Sequence, residues 1–379
     1  AGVLVAGGAI SALDRFTTLR RAYPQCEVYF IDKPMVLLPG FIDCHTHICF
    51  AGSRNRDYAM RIAGKSYLEI ARAGGGIWDS VIKTRAADDV TLAENIVARA
   101  NRHLQEGVTT LEVKSGYGLD MVNEMKMLQA VQSASRHTAA TLVPTCLAAH
   151  MLPKDFNGNA ADYLSWIVAE LLPVVKAEQL AGRVDIFVED TAFTPTDART
   201  FLQLAKQLGF AATVHADQFS AGGSAVAVET GALSADHLEA STEKEIALLA
   251  ASNTTAVVLP GASLGLGMHY APARQLLDVG ASLAIASDWN PGSAPMGDLL
   301  LQAAVLSAAQ HLSMAETLAA LTVRAAPALQ LTGTAQLQPG FTADMQAYAT
   351  ADYRDILYYQ GKLKPALVWK SGALINNEQ

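Results

Sequence analysis

The chain has 379 residues, 51% of them hydrophobic, and a formal net charge of −8. A chain of this size and apolar content can form a large buried core. The acidic balance, with no run of basic residues, argues against a nucleic-acid-binding protein. No apolar run is long enough to span a bilayer, and no segment has the pattern of a signal peptide. The four cysteines form no Cys-x-x-Cys pair, which favours a reduced, cytoplasmic protein. Because the first residue is Ala1 and not Met, N-terminal structure can be missing from this chain.

Residues 1 to about 38 are predicted to form short strands joined by loops, with strands at residues 2–5 and 27–32. Gly7 and Gly8 invite a nucleotide-loop interpretation. No helix with the spacing of a dinucleotide-binding motif follows these two glycines, so we reject that interpretation.

From residue 36 onward, apolar strands alternate with helical stretches, which is typical of a parallel sheet. Eight strands are predicted, at residues 38–47, 108–113, 140–147, 184–189, 212–217, 233–238, 255–259 and 282–288. The helices predicted between them include residues 92–106, 123–135, 196–208 and 243–251. Eight strand–helix units are the number in a (β/α)8 TIM barrel, whereas a doubly wound sheet more often has five or six strands. The sequence therefore predicts an α/β fold built on a (β/α)8 barrel.

Beyond about residue 335 the helical pattern stops, and strands are predicted at residues 340–348 and 365–370. Strands at both chain ends flank the barrel and can pair with each other. We therefore expect a small β-sandwich domain composed of residues 1–38 and 336–379, and a barrel domain spanning residues 39–335.

The first predicted barrel strand ends on two histidines, His45 and His47. Residues two apart in a strand face the same side, and imidazole is a common metal ligand. The pair alone is weak evidence, because two structural histidines would have the same spacing. Further candidate ligands follow other predicted strands, at the barrel end where TIM-barrel enzymes place their chemistry: His150, His215, His237 and Asp288. Scattered core histidines would not gather there, so the sequence predicts a metal site. Surface roles are expected for the other histidines: His103, His137, His269 and His311.

Three histidines and one carboxylate form a mixed nitrogen and oxygen donor set. Such a set suits zinc or ferrous iron better than magnesium or calcium. A bound ion of this kind lowers the pKa of a coordinated water, so that hydroxide is present near neutral pH. The chemistry that this favours is hydrolysis at a carbonyl or amidine-type carbon.

The order of these residues, with His-x-His after strand one, histidines after strands five and six and Asp after strand eight, resembles the amidohydrolase superfamily. Finer motifs resemble the imidazolonepropionases within it, at residues 37–47, 73–77, 112–119, 215–218, 234–239 and 287–293. The resemblance runs from about residue 37 to 345. It implies hydrolysis of 4-imidazolone-5-propanoate to N-formimidoyl-L-glutamate with one zinc or iron ion per chain, and dimers are common in the family. It also implies the metal ligands His45, His47, His215 and Asp288.

The same resemblance implies a set of substrate contacts: Arg54, Tyr67, Tyr117, His150, Gln218, Asn290, Gly292 and Ser293. A guanidinium such as Arg54 can hold the propionate of the substrate through two parallel hydrogen bonds. Gln218 departs from family members that carry glutamate there, and an amide cannot act as a base. Proton transfer is therefore expected from Asp288, and a hydrogen bond to the developing oxyanion from His237. His237 as a further metal ligand, or as a packing residue, stays open.

Other interpretations remain. Residues 59–66 fit a loose P-loop pattern, which we take as a chance match in a helical region. Lys114 could be a carbamylated ligand between two metals, but it follows strand two, while Glu189 follows strand four, so we prefer one ion. An aminohydrolase acting on another heterocycle would use the same ligands and would release ammonia. A catalytically inactive barrel is the alternative outside enzymes.

Overall fold

The structure, a computed structural model, describes residues 1–65 and 67–375. Within these residues the strands are β1 (Gly2–Ala6), β2 (Ala9–Asp14), β3 (Val36–Pro39), β4 (Phe41–Asp43), β5 (Val108–Lys114), β6 (Thr141–Ala149), β7 (Arg183–Phe187), β8 (Ala211–Ala216), β9 (Ser234–His237), β10 (Thr255–Val258), β11 (Leu283–Ile285), β12 (Met345–Tyr348), β13 (Leu367–Lys370) and β14 (Ala373–Leu374).

The α-helices of the same residues are α1 (Phe16–Ala22), α2 (Asn55–Ile62), α3 (Tyr67–Arg72), α4 (Ile77–Ala86), α5 (Asp89–Gln105), α6 (Met121–Ala134), α7 (Ala160–Trp166), α8 (Leu172–Ala177), α9 (Pro195–Gln207), α10 (Gly223–Thr230), α11 (Glu243–Ala250), α12 (Pro260–Leu266), α13 (Ala273–Asp278), α14 (Leu299–Gln310), α15 (Met314–Ala320), α16 (Ala325–Ala328) and α17 (Arg354–Tyr358). A π-helical turn, Ile167–Leu171, joins α7 to α8. In the described residues, none of the helices is both long and apolar enough to cross a membrane.

Strands β4 to β11 form one parallel sheet in which neighbours in sequence are neighbours in space. The two edges of this sheet meet just beyond the ends of β4 and β11. There the Asp288 amide donates to the His45 carbonyl at 3.0 Å, and the His47 amide donates to the Trp289 carbonyl at 3.0 Å. The predicted (β/α)8 barrel is therefore confirmed, and its closing seam runs through two of the predicted metal-binding segments.

The barrel helices begin where the sequence supplies a side-chain oxygen to accept the first free backbone amides. Asp88 accepts from Thr91 at the start of α5, and Asp120 accepts from Asn123 at the start of α6. Such caps satisfy amides that have no partner inside the helix. Each of these helices then packs on the strand that follows or precedes it, in a core of buried aliphatic side chains.

The first predicted barrel strand, residues 38–47, is two strands in the structure. Residues Val36–Pro39 form β3, which pairs antiparallel with β12 outside the barrel. Only Phe41–Asp43 form barrel strand β4, and His45 and His47 lie beyond its end. The backbone changes sheets at Gly40, whose amide donates to the Asp344 carbonyl at 2.8 Å. The local sequence shows one apolar run because β3 is half-buried in its sheet and β4 is fully buried in the barrel.

Gly40 is needed for close packing at this change of sheet. A Cβ atom there would lie 2.3 Å from the Thr109 hydroxyl oxygen on β5. We expect Gly40→Ala to lower the free energy of unfolding by about 1–3 kcal/mol, because overpacking a tight site costs that much. Denaturant unfolding measures the change. The control is Gly182→Ala, where the added atom has nothing within 4 Å. Equal stability of the two variants would contradict this packing argument.

The chain ends form two further sheets. Strands β1 and β2 make an antiparallel hairpin, with Gly7 and Gly8 in its turn, and the second sheet has the order β14-β13-β12-β3. Ile10, Ala343 and Met345 are buried together between these sheets. The expected β-sandwich from both chain ends is therefore confirmed. The domain boundaries at residues 38 and 336 stay a prediction.

Two details of the chain ends were predicted wrongly. Residues 27–32 do not form a strand, and the Phe30 side chain is 72% exposed. An apolar run becomes a strand only where another strand offers hydrogen bonds, and this run has no such partner in the described residues. Helical structure also returns after residue 335, as α17.

Candidate metal centre and active site

Five predicted site residues converge at the carboxyl end of the barrel. His45 and His47 follow β4, His215 lies near the end of β8, His237 ends β9, and Asp288 follows β11. The Nε2 atom of His47 lies 3.2 Å from Nε2 of His45 and 3.2 Å from Nε2 of His215. All five side chains are buried. The predicted gathering of these residues at one barrel end is therefore present in the structure.

One carboxylate oxygen of Asp288 faces the histidines, and the other faces the loop that follows Asp288. Its Oδ1 lies 3.3 Å from Nε2 of His47 and 3.6 Å from Nε2 of His45. Its Oδ2 accepts from the Asn290 amide at 2.9 Å and from the Ser293 hydroxyl at 3.3 Å. These bonds fix the orientation of the carboxylate, and burial raises the pKa of Asp288 above its ordinary value.

Carboxylates behind two of the imidazoles set which ring nitrogen carries the hydrogen. Nδ1 of His45 lies 2.7 Å from Oδ2 of Asp236, and Nδ1 of His215 lies 2.9 Å from Oδ2 of Asp185. An ionised carboxylate accepts, so each Nδ1 donates to it and each Nε2 keeps a lone pair facing the cluster. Burial raises the pKa of Asp236 to about 8, and the ionised form is the one that supports His45 as a ligand. Burial holds the pKa of His45 well below its ordinary value and lowers that of His215 to about 3. Neutral imidazoles with convergent lone pairs are the form that binds a metal ion.

His237 lies beside this cluster with a different partner. Its Nδ1 is 3.5 Å from Oε2 of Glu239. Burial alone would lower the pKa of His237, but the charges of Glu239 and Asp288 outweigh burial and raise it. Donor atoms of His45, His215 and His237 lie within 4.8 Å of one another, as do those of His45, His47 and Asp288. The geometry therefore allows His237 either to donate a hydrogen bond or to bind an ion.

The backbone at two of these positions is unusual. His237 has a φ of 92° and Asp288 a φ of 49°, in the left-handed region that non-glycine residues seldom adopt. Such conformations cost on the order of 1–3 kcal/mol each and concentrate at functional sites. Both side chains are thereby aimed into the cluster at an energetic cost to the fold.

Two predicted substrate contacts, Tyr117 and His150, line one side of the cluster. The His150 ring stacks against the His47 ring with centroids 5.5 Å apart, and the Tyr117 ring lies 5.4 Å from His150. Nδ1 of His150 is 2.9 Å from the Gly116 carbonyl oxygen, which can only accept. Nδ1 of His150 therefore carries the hydrogen, and its Nε2 is an acceptor. Burial lowers the pKa of His150, which favours this neutral form.

Arg54 lies against the loop that follows Asp288 and is held by Asp57. Its Nε donates to Asp57 at 2.8 Å, and Asp57 also accepts from the Gly76 amide at 2.9 Å. The guanidinium lies so close to Gly292 that a Cβ there would meet Arg54 Nη1 at 2.1 Å. Asp57 therefore fixes the Nε edge of Arg54, and the glycine gives the other end of the guanidinium its space.

The other predicted contacts have different positions. The Asn290 amide group donates to Asp288 and Ser293, while its oxygen accepts from the backbone of Gly292 and Ser293, so this side chain organises its own loop. Gln218 is buried beyond the end of β8. Tyr67 is the first residue of α3, but its side chain lies outside the described residues.

The Lys114 amine is surrounded by three carboxylates close to the histidine cluster. Its Nζ lies 2.7 Å from Glu112 and 2.7 Å from Asp185, and 3.9 Å from Asp236. Burial alone would lower the pKa of Lys114, but these carboxylates raise it, so the amine stays charged. A charged amine does not take up carbon dioxide to become a carbamate. Glu189, after β7, accepts from the Phe219 and Ser220 amides instead of joining the cluster.

The expectation of a surface role was wrong for His103. This residue of α5 is buried, with Nε2 3.1 Å from Oδ2 of Asp43 and its ring against Trp289. Asp43 also accepts from the Ser287 amide at 2.9 Å, so His103 packs behind the seam of the barrel. The other three, His137, His269 and His311, are exposed. The sequence analysis also missed the supporting acids Asp185 and Asp236. Both stand inside predicted buried strands, where a carboxylate needs a partner, and that was the available signal.

Comparison with known proteins gives one consistent result for the sequence. The profile of the amidohydrolase family matches residues 36–375. An imidazolonepropionase from Myxococcus xanthus is 41% identical over 343 residues, covering 90% of this chain and 82% of the relative. One from Symbiobacterium thermophilum is 39% identical over 390 residues, covering 99% of this chain and 91% of the relative. One from Deinococcus deserti is 41% identical over 380 residues, covering 99% and 92%.

Solved structures share the fold at much lower identity. A zinc-bound adenosine deaminase from Xanthomonas campestris has a TM-score of 0.70 at 18% identity, covering 98% of this chain and 87% of that chain. A zinc complex of atrazine chlorohydrolase from Arthrobacter aurescens has a TM-score of 0.72 at 16% identity, covering 100% and 91%. These similarities show the fold alone, a TIM barrel joined to a smaller β unit.

Proposed function

Because the chain belongs to the amidohydrolase family and, within it, to the imidazolonepropionases, we propose that it hydrolyses 4-imidazolone-5-propanoate to N-formimidoyl-L-glutamate in histidine degradation. The observation that carries this proposal is the convergence of three imidazole Nε2 atoms and one carboxylate oxygen close to a partly buried arginine. The substrate has a lactam carbonyl for hydrolysis and a propionate for the arginine.

We propose that His45, His47, His215 and Asp288 hold one zinc or iron ion per chain. The donor set fits such an ion, because burial lowers the pKa of all three imidazoles and Nε2 of His47 lies 3.2 Å from Nε2 of both His45 and His215. When bound, the ion supplies a water of lowered pKa. A single ion is favoured because Lys114 is committed to its acidic partners and Glu189 to backbone amides.

The proton transfers of this reaction are assigned to residues of the chain. Water adds to the lactam carbonyl carbon, the ring carbon–nitrogen bond breaks, and the leaving nitrogen takes up a proton. Asp288 is the proposed carrier of that proton, since its raised pKa makes it a better acceptor and Asn290 holds it in place. His237 is the proposed hydrogen-bond donor to the developing oxyanion. Gln218 cannot carry protons and is assigned a hydrogen bond to the ring.

Substrate binding is assigned to the residues around the cluster. Arg54 binds the propionate, because Asp57 engages its Nε and the Nη atoms carry the paired donors for a second carboxylate. His150 accepts a ring N–H through Nε2, and Tyr117 lies against the ring. The remaining assignments rest on the resemblance alone: Tyr67, Asn290, Gly292 and Ser293.

The test of this function is turnover of 4-imidazolone-5-propanoate with the metal content measured on the same sample. We expect stoichiometric formation of N-formimidoyl-L-glutamate without release of ammonia. Ammonia release from another heterocycle would instead identify an aminohydrolase. Metal-loaded protein that is inert on every heterocycle would identify a binding module.

Replacing Arg54 tests the assignment of the propionate. Arg54→Lys keeps the charge but loses the planar pair of donors. Loss of one charge-assisted hydrogen bond corresponds to a rise in KM of about tenfold or more. Metal content should be unchanged. The matched control is Arg56→Lys, an exposed neighbour on α2, for which KM should not change. Unaltered kinetics in Arg54→Ala would place the carboxylate elsewhere.

We further propose that the chain acts in the cytoplasm as a homodimer, with residues 1–38 and 336–379 forming one domain and residues 39–335 the other. All four cysteines are free, and three of them are buried, which fits a reducing compartment. The homodimer rests on the family resemblance, and sedimentation measures it directly.

A further inference from the structure

Glu124 is a fully buried carboxylate to which the mechanism above assigns no role. It lies in the first turn of α6, after the loop of residues 115–119 that carries Tyr117. Its Oε1 accepts three backbone amides, those of Gly116 at 3.1 Å, Gly118 at 2.8 Å and Leu119 at 2.8 Å. Burial raises the pKa of Glu124, while these hydrogen bonds favour the ionised form. A single side chain thus satisfies most donors of the loop.

The carbonyl groups of the same loop are also committed. The Gly116 carbonyl accepts from His150 at 2.9 Å, the Gly118 carbonyl from Nε of Arg85 at 2.7 Å, and the Leu119 carbonyl from the Tyr163 hydroxyl at 3.1 Å. Gly116 has a φ of 102°, and a Cβ there would lie 2.9 Å from the Leu147 carbonyl oxygen. The loop therefore has a single backbone conformation that packing and hydrogen bonds determine together.

We propose that Glu124 is a positioning residue for substrate binding. By gathering the loop amides it fixes the Tyr117 ring, and through Gly116 it fixes the orientation of His150. Without the carboxylate, three buried amides would lose their acceptor, and the loop would have to move to find other partners. Both residues that it positions line the same side of the histidine cluster, with the Tyr117 ring 6.2 Å from that of His47. The inference about substrate binding rests on the proposed function, whereas the inference about the conformation of the loop does not.

The test is Glu124→Gln, which keeps one oxygen to accept the three amides but removes the charge that strengthens these hydrogen bonds and places a donor at the second oxygen. For 4-imidazolone-5-propanoate we expect KM to rise about tenfold with kcat within about twofold, as when binding common to ground and transition states is lost. Metal content should be unchanged. Hydrogen exchange of a peptide covering residues 115–119 should become faster, which reads the loop without any substrate.

A double-mutant cycle with Tyr117→Ala separates positioning from general destabilisation. If Glu124 acts in part through the Tyr117 ring, Glu124→Gln raises KM less in the Tyr117→Ala background than in the wild type, so the two effects are less than multiplicative. The matched control is Asp344→Asn, a buried carboxylate of the chain-end sheets that accepts from the Ser371 amide at 2.8 Å and should leave KM unchanged. If Glu124→Gln does not fold, Glu124→Asp withdraws the oxygens by one bond length and takes its place in the cycle.

Unchanged KM together with unchanged exchange in residues 115–119 would overturn the proposal, as would fully multiplicative effects in the cycle. An equal rise of KM in Asp344→Asn would assign the effect to stability. Wild-type protein that fails to turn over the substrate would refute the proposed function, and the exchange measurement alone would then decide the role of Glu124.

Discussion

His45→Ala and His215→Ala are each expected to lose both the metal ion and turnover. Each removes a nitrogen that lies 3.2 Å from the corresponding atom of His47 and so takes one donor out of the proposed set. Loss of a carboxylate behind a ligand already costs about 10–100-fold in metal affinity, and loss of the ligand itself should exceed that. Metal content by elemental analysis and turnover on the same preparation measure the result.

His137→Ala is the control for these two variants, since this histidine is exposed on the loop after α6. It should retain full metal content and full turnover. A His45→Ala or His215→Ala protein that kept a full equivalent of metal and its activity would show that the ligand assignment is wrong.

His237→Ala is expected to separate chemistry from metal binding. The His237 imidazole is beside the cluster, its other nitrogen faces Glu239, and the raised pKa of the ring favours a donor. Removal of a hydrogen-bond donor to an oxyanion typically lowers kcat by about a hundredfold or more. The variant should retain nearly all its metal.

Two other results would each assign His237 differently. Loss of the ion in His237→Ala would make it a ligand, an arrangement that its proximity to His45 and His215 allows. Near-normal turnover would leave it with packing alone. Metal content and kcat measured on the same preparation distinguish the three roles of His237: hydrogen-bond donor, metal ligand and packing residue.

The sequence predicts the barrel well because each buried strand is a local apolar run between helical stretches. Its prediction fails where a strand depends on a distant partner. Residues Val36–Pro39 join another sheet because β12, about 300 residues later, offers the antiparallel edge. Residues 27–32 include four consecutive apolar residues but have no such edge in the described structure, and they remain irregular. Sheet pairing is a tertiary property, so neither outcome follows from local composition.

The candidate site, like the fold, was predictable from the sequence only in part. The histidines were recognisable because strand ends of a barrel share one rim, which is a property of the topology. The buried roles of His103 and Glu124 were not recognisable. His103 is defined by Asp43, 60 residues away, and Glu124 is defined by the conformation of a loop. Residues that only support a site do not react with the substrate, so no sequence motif marks them. Their contacts in the structure are what identify them.

The seam of the barrel has a consequence for how the protein is made. His45 stands near the beginning of the barrel and Asp288 after its last strand, and the two are joined through a backbone hydrogen bond. A nascent chain cannot complete the donor set until its eighth strand has been synthesised and has docked against the first. An ion that prefers the complete set stabilises only chains that have reached this stage. Binding of the proposed ion would therefore follow the docking of the last barrel strand, and an error in that docking would prevent both barrel closure and ion binding.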